Sequence, residues 1–330
     1  MRRVLAVLGA VLMVAVALLL RSFLDGGDDG DQASGDRGNG DVPTLVCAEE
    51  LADVCEALER DGVADVTVEP VGETVDRLGA VDADLEADAW LTLDPFPQQV
   101  DERREFATGS ALFGEPLATD RSSRLALVAF ADRAAALEAD CPEVDWACLG
   151  DAAGEAWADH GGEASWGQVK PGYDAPDTSA TGLLVLAQAM AAHLGDPGFA
   201  GQDIDDRWLG DLEDAVPTRT AGTALLKLVQ QGRAAFGAVG ALGIDAEAVA
   251  GTAQGEDLTI FYPAPMFRAE VVLAPGRGAD GDVLDALAEL LDDDATTDAL
   301  TEAGWEQGAD GEPLPSAGVL DALRSAWEAS

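Results

Sequence analysis

The alternation of apolar and polar positions divides the chain into short buried strands, amphipathic helices and turn-rich connectors. The run Thr44-Leu45-Val46-Cys47 sits in a buried strand over residues 42–47, with a helix from 49 to 61 behind it. Alternating valines make 64–71 a second strand, and 73–78 reads as a short helix. A third strand at 87–93 is closed by Asp94-Pro95-Phe96-Pro97. Residues 123–130 form a continuous apolar strand, and helices follow at 133–139 and around 151–158. A strand at 165–169 leads into Lys170-Pro171-Gly172-Tyr173-Asp174-Ala175-Pro176, which cannot be helical. Asp177 and Thr178 are both suited to cap the apolar helix that runs from 182 to 194. Helices at 204–215 and 220–232, a glycine-rich strand at 234–241 and a short helix at 245–250 come next. Strands at 258–263 and 269–273 and helices at 282–291, 296–303 and 318–328 complete the pattern.

Alternating strands and helices predict an α/β fold with parallel βαβ units, whose loops of interest lie at the strands' C-terminal ends. In the first half those ends are Ala48-Glu49, Val71-Gly72 and Asp94-Pro95. The start of the 182–194 helix is a second feature of this kind. Its first turn has unpaired N–H groups, its dipole favours negative charge, and hydroxyls at Thr178, Ser179 and Thr181 surround it.

The N-terminus adds a different element. Residues 4–20 are apolar and uncharged, with Arg2 and Arg3 before them and Arg21 after. Residues 1–24 are expected to form a membrane anchor or signal segment, read as an uncleaved single-pass transmembrane helix with the bulk of the chain outside the cell. Residues 25–41 are almost entirely Asp, Gly, Ser, Gln and Asn and read as a flexible acidic linker.

Charge narrows the partners. The 330 residues carry a formal net charge of −44, which excludes nucleic acid and anionic membrane surfaces as binding partners. Of the 19 basic residues only Lys170 and Lys227 are lysines. Catalysis has no sequence support: no GxSxG elbow, HExxH or P-loop is present, so the chain is read as a non-enzyme without a cofactor. Cys47, Cys55, Cys141 and Cys148 fall in two close pairs. Outside the membrane they oxidise; three connectivities are open, and short spacing favours Cys47–Cys55 and Cys141–Cys148. With only His160 and His193 available, a zinc site is not expected. The tryptophans are read as core and interface fillers.

Four stretches together resemble a known family. They are the strand ending at Asp94, the run Pro176-Asp177-Thr178-Ser179-Ala180-Thr181-Gly182-Leu183-Leu184, the run Phe261-Tyr262-Pro263-Ala264-Pro265, and the run Ala299-Leu300-Thr301-Glu302-Ala303-Gly304-Trp305. In this order they resemble the type 2 extracellular solute-binding proteins of bacterial ABC transporters, in a membrane-anchored, actinobacterial-like branch. The resemblance implies a two-lobed fold, each lobe a mostly parallel sheet flanked by helices. Lobe one would be residues 42–127 plus 262–330, and lobe two 128–261. It further implies that a small molecule or ion is captured between the lobes for an ABC importer. The ligand-binding positions it implies are Ala48, Glu49, Asp94, Ser122, Ser123, Thr178, Ser179, Ala180, Thr181 and Tyr262. The partner would be an ABC permease or another membrane protein. The alternative is the same fold used without transport, as an extracellular interaction or structural module.

Overall fold

The computed structural model describes residues 42–216 and 223–330, so the expected anchor and linker at 1–41 lie outside the described residues. Among the described residues no helix is long and apolar enough to cross a membrane. Residues 42–330 form one compact unit.

Strand β1 (Thr44–Ala48) lies between β2 (Asp65–Glu69) and β3 (Ala89–Leu93) and runs parallel to both. Helix α1 (Ala52–Arg60) buries Val54, Cys55 and Leu58, and α2 (Val71–Leu78) buries Val71, Val75 and Leu78, an apolar stripe at helical spacing in each case. Helix α3 (Phe96–Thr108) follows β3 directly and was not expected from the sequence. Pro95 and Pro97 read there as a stop. Proline is equally at home in a helix's first turn, where its missing N–H has no partner to lose.

The chain then enters β4 (Leu117–Phe130), 14 residues long and shared by two sheets. As far as Arg124 it pairs antiparallel with β8 (Arg268–Pro275). From Leu125 onward it pairs antiparallel with β6 (Ala238–Leu242), and from Leu127 with β7 (Leu258–Phe261). The two-residue strands β5 (Pro171–Gly172) and β9 (Glu306–Gln307) add to β6 and β4 respectively. The main path is β2-β1-β3-β8-β4-β6-β5. The expectation of mostly parallel sheets is therefore corrected: among the described residues three ladders are parallel and five antiparallel. The reason is that β4 runs from the first sheet into the second as one extended strand and pairs antiparallel in both, while β8 pairs antiparallel with β3 and β4.

Helices α4 (Ala131–Asp140), α5 (Trp146–Asp151), α6 (Ala180–Leu194), α7 (Asp206–Ala215), α8 (Ala224–Gln231) and α9 (Gly243–Ala250) lie between β4 and β7 in sequence, and α4, α6, α8 and α9 pack on strands of the second sheet. Helix α5 begins earlier than the expected 151–158 helix because Asp145 caps it, accepting from the Cys148 N–H at 2.8 Å. The expected strand at 165–169 is instead a 3-10 turn, Ala164–Trp166, followed by a single bridge between Gln168 and Ala156. Helices α10 (Gly281–Asp292), α11 (Asp294–Glu302) and α12 (Ala317–Ala329) return to the first sheet's side, where α11 packs on α1 and α12 on α3. The acidic run Asp292-Asp293-Asp294 marks a helix-to-helix junction: Asp293 ends α10 and caps α11 through the Ala295 N–H at 2.7 Å.

Helix α6 is buried continuously from Ala180 to Ala191, as its all-round apolar sequence demands. It packs against α5, α12, β4 and β6 and so forms the centre of the molecule. Trp90, Trp146, Trp157, Trp208 and Trp305 are buried, and Trp166 packs edge-on against Trp157 with ring centroids 5.7 Å apart. The structure joins Cys47 to Cys55 and Cys141 to Cys148.

Candidate functional site

The C-terminal end of β1 turns at Ala48 into a 3-10 turn, Glu49–Leu51, before α1 begins. That turn directs the two adjacent carboxylates differently: Glu49 stays exposed, while Glu50 points inward to the start of α6. Helix α6 starts two residues earlier than expected and is capped by Ser179 rather than Asp177 or Thr178. The Ser179 hydroxyl accepts from the Gly182 N–H at 3.1 Å and donates to Glu50 Oε1 at 3.2 Å. The Thr181 N–H donates to the same oxygen at 3.2 Å. Glu50 Oε2 is shut off from solvent and has no hydrogen-bond partner. Burial pushes the Glu50 carboxyl up from its ordinary value; its own backbone N–H, then those of Thr181 and Ala180 and the Ser179 hydroxyl, pull the other way and offset only part of it.

Other elements converge here. The Gly72 N–H, at the start of α2, donates to the Thr178 carbonyl at 2.9 Å. A Cβ at Gly72 would lie 2.0 Å from the Asp177 carbonyl oxygen, so the two backbones meet at a distance only glycine permits. Asp174 accepts from the Ala224 N–H at the start of α8 at 2.6 Å; burial, aided by Glu49, holds its carboxyl above the ordinary value despite that bond and Lys227. Asp245, in the first turn of α9, still reaches solvent, yet it is pushed up to about 7, first by burial and then by the negative charges of Glu50, Asp174 and Asp53. The junction is therefore strongly acidic.

The implied ligand positions separate into two groups. Ala48, Ser179, Ala180 and Thr181 come together at this junction, with Glu49 on its exposed rim and Thr178 supplying the carbonyl that Gly72 bonds. The others have partners of their own. Asp94 lines a separate cavity of about 160 Å³ with Gln98, Arg268, Glu270 and Ser316, and burial and Glu270 raise its carboxyl. Ser122 and Ser123 are buried in β4; Ser122 Oγ accepts from the Ala309 N–H at 3.2 Å and Ser123 Oγ from the Ile244 N–H at 3.3 Å. Tyr262 donates to Glu247 and lies beneath the Arg124 guanidinium, 3.9 Å from the ring centre; burial and Glu247 push its phenol up to about 12. A further cavity, about 840 Å³, is lined by Gly150, Lys170, Trp208 and Asp214 among others and includes none of the implied positions.

Sequence reasoning missed Glu50, Asp174 and Asp245. The only available signal for Glu50 was its place beside Glu49 at a strand end; which of the two turns inward depends on the 3-10 turn. Among the described residues no group of His, Cys, Asp and Glu side chains is arranged to hold a metal ion.

No protein-family model matches the chain, and no curated relative matches its sequence. Solved structures do match its fold. A periplasmic thiamin binding protein is 14% identical over 91% of this chain and 99% of its own, with a TM-score of 0.59. The apo ferric ion-binding protein A of Pasteurella haemolytica is 14% identical over 88% of this chain and 95% of its own, with a TM-score of 0.55. The sulfate-binding protein SubI of Mycobacterium tuberculosis is 12% identical over 86% and 96%, with a TM-score of 0.52. The described chain thus has the fold of periplasmic binding proteins along nearly their whole length.

Proposed function

We propose that this chain is an extracytoplasmic solute-binding protein that captures a small ligand between two lobes and delivers it to an ABC importer. The observation that carries the reading is the fold likeness over nearly the full length of periplasmic binding proteins named for thiamin, ferric ion and sulfate. The junction of the β1 turn with the α6 N-terminus supports it, because ligands of open α/β sheets bind beyond strand C-termini. Residues 42–127 plus 262–330 form lobe one in this reading and 128–261 lobe two, with the sheet change at Arg124 and Leu125 close to the first boundary. Residues 4–20 anchor the protein so that the remainder faces outward, and the two disulfides fit an oxidising compartment. The acidic residues Glu49, Glu50, Asp174 and Asp245 favour a cationic or neutral ligand over a free anion. No chemical step is assigned.

The test is thermal unfolding of the purified chain in high salt against metals, amino acids, sugars, cationic vitamins and oxyanions. A ligand of the native state raises the midpoint saturably, by roughly 2.7 kcal/mol of stability at a hundred times its dissociation constant. One specific observation favours the second reading, an interaction module without transport. The junction is already closed by the Gly72–Thr178 and Glu50–Thr181 hydrogen bonds. A folded protein whose midpoint no compound moves decides for that reading.

A further inference from the structure

The start of α6 has what an oxyanion needs: a backbone N–H donor at Thr181, a hydroxyl at Ser179, and the positive end of a 15-residue helix dipole. A carboxylate from the chain itself already sits there. Glu50 belongs to the β1–α1 turn, 129 residues away in sequence from Ser179, and it reaches α6 across the same junction at which Gly72 meets Thr178. Its Oε1 takes the donors, while its Oε2 is buried without a partner. A residue that served only to pack would not bring an unsatisfied carboxylate oxygen out of water, because that costs free energy. The arrangement is that of an anion held in a receptor, with the anion tethered to the opposing element.

We propose that Glu50 is a built-in occupant of an oxyanion site at the α6 N-terminus. It draws the β1–α1 turn onto α6 without any free ligand and bars free oxyanions from the junction. Exclusion follows from two effects. A tethered carboxylate has already lost most of the translational freedom that a free anion must give up on binding. A free anion must also approach past Glu49, Asp174 and Asp245, whose charges repel it. The inference stands whether or not the chain captures a solute.

Removing the carboxylate should uncover the site. Glu50→Ala is compared with the unaltered chain by thermal unfolding while chloride is replaced by formate, acetate or sulfate at constant ionic strength. The expected result is a lower midpoint for Glu50→Ala in chloride and a saturable rise of about 2–5 °C in formate or acetate, with no such rise in the unaltered chain. Adding Ser179→Ala should weaken the apparent formate affinity of Glu50→Ala roughly tenfold, since one of its donors is lost. A Glu50→Ala midpoint equal to that of the unaltered chain, or an anion response equal in both proteins, overturns the proposal. If Glu50→Ala does not fold in chloride, refolding in formate decides: recovery of the folded signal supports a vacated anion site, and failure to recover overturns it.

Discussion

His160 shows how single residues set the response to pH. Its ring nitrogens lie 2.6 Å from Asp140 and 2.8 Å from Glu155, tying α4 to the 3-10 turn Trp157–His160. The hydrogen bond to Asp140, helped by the one to Glu155, raises its pKa above the ordinary value, against a smaller effect of burial. A histidine with a raised folded pKa contributes stability that is fully present below its unfolded value near 6.5 and is lost as pH rises through the folded value. Replacing His160 by Gln should therefore cost roughly 0.5–1 kcal/mol at pH 6 and almost nothing at pH 9. Urea unfolding at both pH values checks this, and a cost independent of pH would refute it. Asp245 acts in the same direction: its native state binds a proton up to about 7, so its share of stability also falls between the ordinary carboxylate value and neutrality. Of the residues in this account, His160 and Asp245 drew no functional reading from sequence, since partners 20 residues away and on other elements are invisible there.

At the scale of elements, the close approach of α2 to the loop before α6 is the most sensitive contact. The three atoms nearest an added Cβ at Gly72 all belong to the backbone of Asp177 and Thr178, so none can rotate aside. Gly72→Ala should destabilise the protein by roughly 1–3 kcal/mol, the range for overpacking, and lengthen or break the hydrogen bond to Thr178. Denaturant midpoints measure the cost, and hydrogen exchange at the Gly72-position amide reports the bond; unchanged protection together with an unchanged midpoint would contradict the geometry. The sequence marked Val71-Gly72 as a strand end of interest and marked the α6 start as an anion-friendly terminus. It did not show that the two meet. It also left out α3, because prolines at 95 and 97 signal both the end of one element and the first turn of the next.

For the whole molecule, the net charge of −44 sets the dependence on salt. The described structure offsets part of it locally: Asp76 bonds Arg324 and Arg103, and Arg103 also bonds Asp321, joining α2, α3 and α12. The remaining negative charges repel one another, and added salt screens them. Raising sodium chloride from about 0.05 to 1 M, across which the Debye length shortens several-fold, should raise the thermal midpoint by several degrees. A midpoint that is flat or falls over that range would show that self-repulsion is not a governing term.

The sequence by itself determined the α/β class, the order of nearly all strands and helices, the burial of α6 and the tryptophans, and the acidity of the surface. These follow from local periodicity and composition, which act over a few residues and survive without knowledge of the fold. Tertiary structure alone decided three other matters. The long strands β4 and β8 enter the sheets antiparallel, because direction is set by where distant segments pair. Ser122 bonds Ala309, Ser123 bonds Ile244 and Tyr262 bonds Glu247, and Asp94 lines a cavity with Arg268 and Glu270, because side-chain partners are chosen in space. Glu50 rather than Glu49 meets Ser179 and Thr181, because a one-residue difference in the phase of a 3-10 turn points neighbouring side chains in different directions.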